Sequence, residues 1–217
     1  MKAQGSDALL IVYVTSLAEG IPRGQKRQAE SRTGRALLAY ALNRARPGTP
    51  PLCERDIPPL LCFGPKGKPG FQALAWEFNI SHSHGLVACG FSARPLGLDV
   101  ERVRPFSPQL AGRIQAPGEE ALAGAHPDSD SRWSQLWTCK ESCMKYTGLG
   151  MSQEPGEIAF ARLGPAPLLA AGGKGLCFRS LCLYRGGEPF WLTLCRGEPG
   201  PVAVEFLSAG QIDALLA

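Results

Sequence analysis

The sequence lacks a membrane-spanning run. The apolar stretch near its start, Ala8 to Val14 in MKAQGSDALLIVYVTSLAEG, is far shorter than the ~20 residues a spanning helix needs and is short even for a secretory signal. Its β-branched content fits a first strand, and the expected setting is the cytoplasm, with no membrane partner. Charge of one sign is also scarce: 23 Lys and Arg stand against 19 Asp and Glu, a formal +4 with a pI near 8.7. That excess is too small to argue for nucleic acid, and no RNA-reading pattern of aromatic and basic residues is present. It suits an anionic small molecule or an acidic protein partner.

Paired metal-type cysteines are missing too. Cys53, Cys62, Cys89, Cys139, Cys143, Cys177, Cys182 and Cys195 include no Cys-x-x-Cys, and most lie in apolar, strand-like runs. They read as reduced core residues, which removes a disulfide scaffold and leaves a zinc-binding interaction protein without ligand spacing. No G-x-S-x-G elbow is found, so a Ser-His hydrolase has no defined nucleophile. GPKGKPG at 64–70 is no Walker loop, because Pro69 follows the lysine where Ser or Thr should lead into a helix.

What is present is a turn-rich globular chain: 217 residues, 44% hydrophobic, with 26 Gly and 19 Pro. After the first strand, Ala36, Leu37, Tyr40, Ala41 and Leu42 recur at helical spacing until Pro47-Gly48 stops the pattern, and Arg32 and Arg35 share one face. A proline-rich connection leads to three β-type runs, WEFNISHSHG, LVACGFSARP and LGLDVERVRP, expected to be antiparallel neighbours. A weak helical signal covers Gly118 to Ala125. A strong one covers Ser131 to Tyr146, with Gly148 as its C-terminal cap. The tail reads as a hairpin turning at Gly186-Gly187, then the strand PVAVEFL. Strands and helices mix without a βαβ rhythm, so the fold class is α+β, and the order strand, helix, strands occurs once in each half.

Several residues can carry chemistry, each with a plainer alternative. Strand alternation puts Asp99 and Glu101 on one face, about 6–7 Å apart. They either face water or pair with Arg102 and Arg104, or they bind a hard divalent cation such as Mg2+. Trp137, Glu141 and Lys145 align at four-residue helical spacing, so Glu141 is either a third metal carboxylate or half of an exposed pair with Lys145. Ser81 and Ser83 share one side of a strand and His82 and His84 the other, as turn residues or as donors to an anion. Lys66 and Lys68 occupy a glycine-bordered turn that meets phosphate or merely stays soluble.

Taken together, GKP at Gly67 to Pro69, FNISHS at Phe78 to Ser83, GLDVE at Gly97 to Glu101 and WTCKESCMKYTGLG from Trp137 resemble the 4′-phosphopantetheinyl transferase superfamily, in its Sfp-type, pseudo-dimeric branch. The last segment fits the family form W-x-x-K-E-(A/S)-x-x-K-x-x-G at Trp137, Lys140, Glu141, Ser142, Lys145 and Gly148. The resemblance implies two similar subdomains, 1–96 and 97–217, with the active site in the cleft between them. It also implies Mg2+-dependent transfer of the phosphopantetheine arm of coenzyme A to a serine of an acyl or peptidyl carrier protein, releasing 3′,5′-ADP, by a monomer. Asp99, Glu101 and Glu141 match the family's metal ligands, Glu141 also its general base, and Lys145 its pyrophosphate contact. Ser81 and His82 match the 3′-phosphate site, and Lys66, Lys68 and Arg35 other coenzyme-binding positions. GRIQAPGEEAL departs from the family's aromatic-rich form, leaving Glu119 or Glu120 for its acidic position. The competing reading is a non-catalytic carrier-protein or coenzyme-binding module of the same fold.

Overall fold

The structure is a computed structural model that describes residues 10–170 and 175–216. Its first strand, β1 (Leu10–Ser16), is followed by helix α1 (Arg23–Ala45), short strands β2 (Leu61–Phe63) and β3 (Pro69–Phe71), the hairpin β4 (Glu77–Ser83) and β5 (Leu86–Ser92), and β6 (Leu96–Arg102). Helices α2 (Pro108–Ile114), α3 (Glu119–Ala123) and α4 (Ser129–Thr147) come next, then the short pair β7 (Phe160–Arg162) and β8 (Leu168–Leu169). The hairpin β9 (Cys177–Arg185) and β10 (Glu188–Arg196), strand β11 (Val202–Phe206) and helix α5 (Ala209–Asp213) complete the described chain.

Two main sheets form, in the orders β11-β1-β5-β4 and β6-β10-β9, beside the two-stranded pairs β2-β3 and β7-β8. Alternation decides how they stack. Leu10, Val12, Val14, Leu86 and Ala88 of the first sheet meet Leu96, Leu98, Val100, Phe190 and Leu192 of the second in a shared core. Tyr13, Val87 and Cys89 point the other way, onto Leu37, Leu38 and Leu42 of α1. Phe178 and Cys195 likewise meet Leu136, Cys139 and Met144 of α4. The result is helix, sheet, sheet, helix, an α+β arrangement in which a one-residue register slip would exchange two cores.

The two halves share one topology. Each runs strand, long helix, hairpin, with the second hairpin strand returning beside the first strand: β1, α1, β4, β5 and then β6, α4, β9, β10. Both hairpins close on two residues with positive φ, His84 (49°) with Gly85 (85°) and Gly186 (56°) with Gly187 (81°). That is the primed-turn geometry matching the twist of a tight hairpin. Helix α4 ends where Gly148, at φ 73°, donates its N–H to Met144 O, as its sequence position implies.

Two expectations need correction. β6 does not join β5; it leaves the first sheet after Arg94-Pro95 and pairs with β10. The chain end departs from a cut at 96/97, because β11 pairs in parallel with β1 and α5 packs against α1. The reason is the open edge of β1, whose Val14 carbonyl accepts the Leu207 N–H at 2.8 Å while Thr15 Oγ1 donates to Leu207 O at 2.9 Å. All eight cysteines are free thiols, with Cys89, Cys139, Cys143 and Cys195 buried but Cys62 and Cys182 exposed. None of the described helices is long and apolar enough to cross a membrane.

Candidate active site

Alternation along β6 sends Gly97, Asp99 and Glu101 away from the inter-sheet core, to the face that α4 covers. Contact there is close: a β-carbon on Gly97 would collide with the Ser142 carbonyl oxygen and the Tyr146 amide of α4. Glycine is the one residue that permits this approach of helix and strand main chains. It brings the half-buried side of α4, with Glu141 and Lys145, over the acidic pair, so the solvated-face alternative for Asp99 does not apply; Asp99 is 3% exposed.

The other wall comes from β4. The Ser81 hydroxyl donates to Asp99 Oδ1 at 2.8 Å and accepts the Val100 N–H at 3.2 Å. Two residues on, the Ser83 hydroxyl donates to Glu101 Oε2 at 2.8 Å and accepts the Arg102 N–H at 3.3 Å. Asn79 Oδ1 accepts the Leu98 N–H at 2.9 Å. Three alternate side chains of one edge strand thus satisfy three alternate N–H groups of another, and the buried donors that β6 would otherwise leave unmatched are paired. The same seam clamps each carboxylate with a serine.

Lys145 closes the cluster, its Nζ donating to Asp99 Oδ1 at 2.7 Å and to Ser81 Oγ at 3.0 Å. Burial, then the neighbouring Asp99, pushes the Glu141 carboxyl up to about 7, with Lys145 opposing and Glu101 adding to the rise. Burial and Asp99 raise Glu101 also, against the Ser83 hydrogen bond, Arg104 and Lys145. Three acids are therefore near enough to resist ionising together.

Among the described residues no three acidic, His or Cys side chains stand ready to enclose an ion. Lys145 lies on Asp99, and Ser83 holds Glu101. The donor set nevertheless suits a hard divalent cation: carboxylate oxygens only, mutual repulsion that a cation would relieve, and Asp99 Oδ2, buried without a hydrogen-bond partner.

The remaining sequence candidates are more dispersed. His82 lies on the opposite side of β4 from Ser81, with Nδ1 3.1 Å from Glu30 Oε2. Lys68, lowered in pKa by burial, donates to the main-chain carbonyls of Leu96 (3.3 Å) and Tyr146 (3.1 Å), tying the β2–β3 turn to β6 and α4. Lys66 is exposed. Arg35 is held by Glu54, Nε to Oε2 at 2.9 Å, and Arg32 by the other oxygen of the same carboxylate at 2.9 Å.

Sequence reasoning missed Glu30, the Asn79 and Ser83 contacts to β6, and the role of Glu119. Glu119 is not a carrier-facing acid. It is wholly buried, pairs with Lys140 Nζ at 2.7 Å and accepts the N–H groups of Ala116 (2.7 Å) and Phe160 (2.8 Å). Glu120 is exposed. Lys140 also donates to the Pro155 and Ile158 carbonyls at 2.9 and 2.7 Å, so its three protons are all used. The only sequence signal for Ser83 was its alternation with Ser81, and Glu30 gave none.

Comparison with known proteins finds similarity over the part of the chain that carries the acidic cluster. A family model described as the 4′-phosphopantetheinyl transferase superfamily matches residues 95–195, the stretch from β6 through β10. A 4′-phosphopantetheinyl transferase of Bacillus subtilis is 33% identical over 139 residues, 61% of each chain. The 4′-phosphopantetheinyl transferase Sfp of Bacillus subtilis strain 168 is 38% identical over 78 residues, 35% of each chain. The matches thus span less than two thirds of these relatives. A solved holo-[acyl-carrier-protein] synthase from Thermotoga maritima overlaps 49% of this chain and 65% of its own, at TM-score 0.38 and 17% identity, too little to weigh. Both β6 and α4, which carry the acidic cluster, lie inside the stretch that is similar to the 4′-phosphopantetheinyl transferase superfamily, and the similar relatives include Sfp.

Proposed function

We propose that this chain transfers the 4′-phosphopantetheine arm of coenzyme A to a serine hydroxyl of an acyl or peptidyl carrier protein, releasing 3′,5′-ADP, in the cleft bounded by β4, β6 and α4. The observation that carries this reading is the convergence of Asp99, Glu101 and Glu141 beneath one helix, with an unpartnered buried oxygen on Asp99 and Lys145 alongside.

Asp99, Glu101 and Glu141 would hold magnesium, which when bound would supply neutralisation of the charge on the diphosphate oxygens. Lys145 contributes a second positive charge, moving from Asp99 onto the pyrophosphate. Glu141 accepts the proton of the carrier serine, directly or through water. The serine oxygen forms a bond to the phosphorus bearing the pantetheine arm, and the bridging bond of the diphosphate breaks, so that 3′,5′-ADP departs with the electron pair. The nucleophile belongs to the partner, which is why the chain needs no triad of its own.

Ser81 and His82 hold the 3′-phosphate end of the coenzyme, and Lys66 meets it from the exposed turn. Lys68 and Arg35 join by exchanging their present partners, two carbonyls and Glu54, for coenzyme oxygens. The mild positive charge suits both the coenzyme and an acidic carrier.

The test is intact-mass spectrometry of apo carrier proteins of the fatty-acid, polyketide and peptide-synthase kinds, incubated with the protein, Mg2+ and coenzyme A. A phosphopantetheine mass gain on the serine is expected for at least one. No gain on any of them contradicts the reading.

A further inference from the structure

Glu30 is a buried carboxylate to which the chemistry above gives no task. It lies on α1, 7% exposed, and both its oxygens are engaged: Oε1 accepts the Gly85 N–H at 2.7 Å and Oε2 lies 3.1 Å from His82 Nδ1. An ionised carboxylate only accepts, so the proton of the second contact belongs to Nδ1. The imidazole is thereby held by one edge against a buried group. Its side chain is 35% exposed, so the ring is not enclosed. Ser81, the preceding residue on β4, belongs to the Asp99 and Lys145 cluster on the other side of the strand.

Resting on the coenzyme A reading, we infer that Glu30 is a positioning residue that presents His82 Nε2 to the 3′-phosphate of the coenzyme and makes that contact charge-assisted. With Nδ1–H committed to Glu30, Nε2 donates to a phosphate oxygen only as an imidazolium. A carboxylate behind the ring and a phosphate ahead of it both stabilise that cation. A mere staple between α1 and the β4–β5 turn needs only the Gly85 bond. The second oxygen, turned to His82, is the part that this inference explains.

Two measurements test it. Long-range 1H–15N spectra of the free wild-type protein should show a proton on His82 Nδ1; a neutral ring protonated on Nε2 alone overturns the inference whether or not any variant folds. The kinetic test compares coenzyme A with 3′-dephospho-coenzyme A. Glu30→Gln keeps an acceptor for Gly85 N–H but loses the charge, and should lower the kcat/KM preference for the phosphorylated coenzyme by about 10-fold. In a His82→Ala background the same substitution should leave that ratio where His82→Ala alone sets it. A general weakening of structure lowers both substrates alike, so an unchanged ratio in Glu30→Gln, or a further fall in the double variant, overturns the assignment. Absence of any wild-type turnover refutes the phosphopantetheinyl transfer reading instead, and leaves the spectral test of the Glu30–His82 pair standing.

Discussion

Lys145 Nζ rests 2.7 Å from Asp99 Oδ1, so the ammonium group of the helix occupies the ground that a divalent cation would share with the strand acid. The pair offsets one charge of a crowded acidic set, and on the proposed reading it would have to open for magnesium and a diphosphate to enter. Lys145→Met removes that offset. In the metal-free protein it should lower the melting temperature, and the rise on adding Mg2+ should be larger than in wild type. Equal Mg2+-induced shifts by scanning calorimetry would show that ion and lysine do not compete.

Glu141 sets a pH dependence whose sign follows from its environment. Its carboxyl is raised from 4.5 to about 7 in the fold, by burial first and Asp99 second. Between those values the unfolded chain has released the proton that the folded chain keeps, so stability falls as pH rises from about 4.5 to 7. Glu141→Gln should reduce that fall, leaving the part due to Glu101, and stabilise the metal-free protein at pH 8 by on the order of 2 kcal/mol, solvent screening allowed for. Urea titrations at pH 4.5 and 8 check it. A wild-type protein equally stable at both, relative to the variant, would contradict the assigned environment.

Gly97 controls how near α4 comes to the acids. Gly97→Ala forces the helix off β6, costing about 1–3 kcal/mol from overpacking. The displacement of Glu141 and Lys145 should lower transfer by about 100-fold, as small misplacements of reacting groups do. Circular dichroism and a transfer assay on the same sample separate the two effects, since the variant should remain folded at 25 °C.

Lys140 shows how far the sequence was legible. The motif that contains it was readable, as were the helix around it, its Gly148 cap and the shared face of Asp99 and Glu101, because all are short-range periodicities of 3.6 or 2. Its partner Glu119 lies 21 residues earlier with no repeating spacing, and entered only, with Glu120, as a candidate for the family's acidic position on a weak helix. The parallel docking of β11 on β1 and the departure of β6 from its neighbours were likewise hidden. Each depends on which strand edge is left open, a property of the assembled sheets and not of any local pattern. The carbonyl contacts of Lys68 join segments 28 and 78 residues apart and were hidden for the same reason.

That buried pair gives a stability prediction. Lys140→Met leaves Glu119 buried without its counter-ion and should cost about 3–5 kcal/mol. Adding Glu119→Gln should recover part of the loss, because the neutral side chain removes the uncompensated buried charge while its oxygen still accepts one of the two main-chain N–H groups. Chemical denaturation of the single and double variants measures this, and a double variant less stable than Lys140→Met would contradict the pairing.

The thiols offer a simpler check. Cys62 and Cys182 are exposed while Cys89, Cys139, Cys143 and Cys195 are buried. A thiol reagent should label those two first in the native protein and all eight after denaturation. Rapid native labelling of Cys139 or Cys195, located by peptide mapping, would place α4 wrongly on its sheet.

The central question is whether a strand pair of acids and a helix acid hold one divalent ion. Electron paramagnetic resonance titration of Mn2+ in the presence of coenzyme A answers it directly. The expected result is one tightly bound ion per chain, lost in both Asp99→Asn and Glu141→Gln; undiminished binding in either variant would contradict the account.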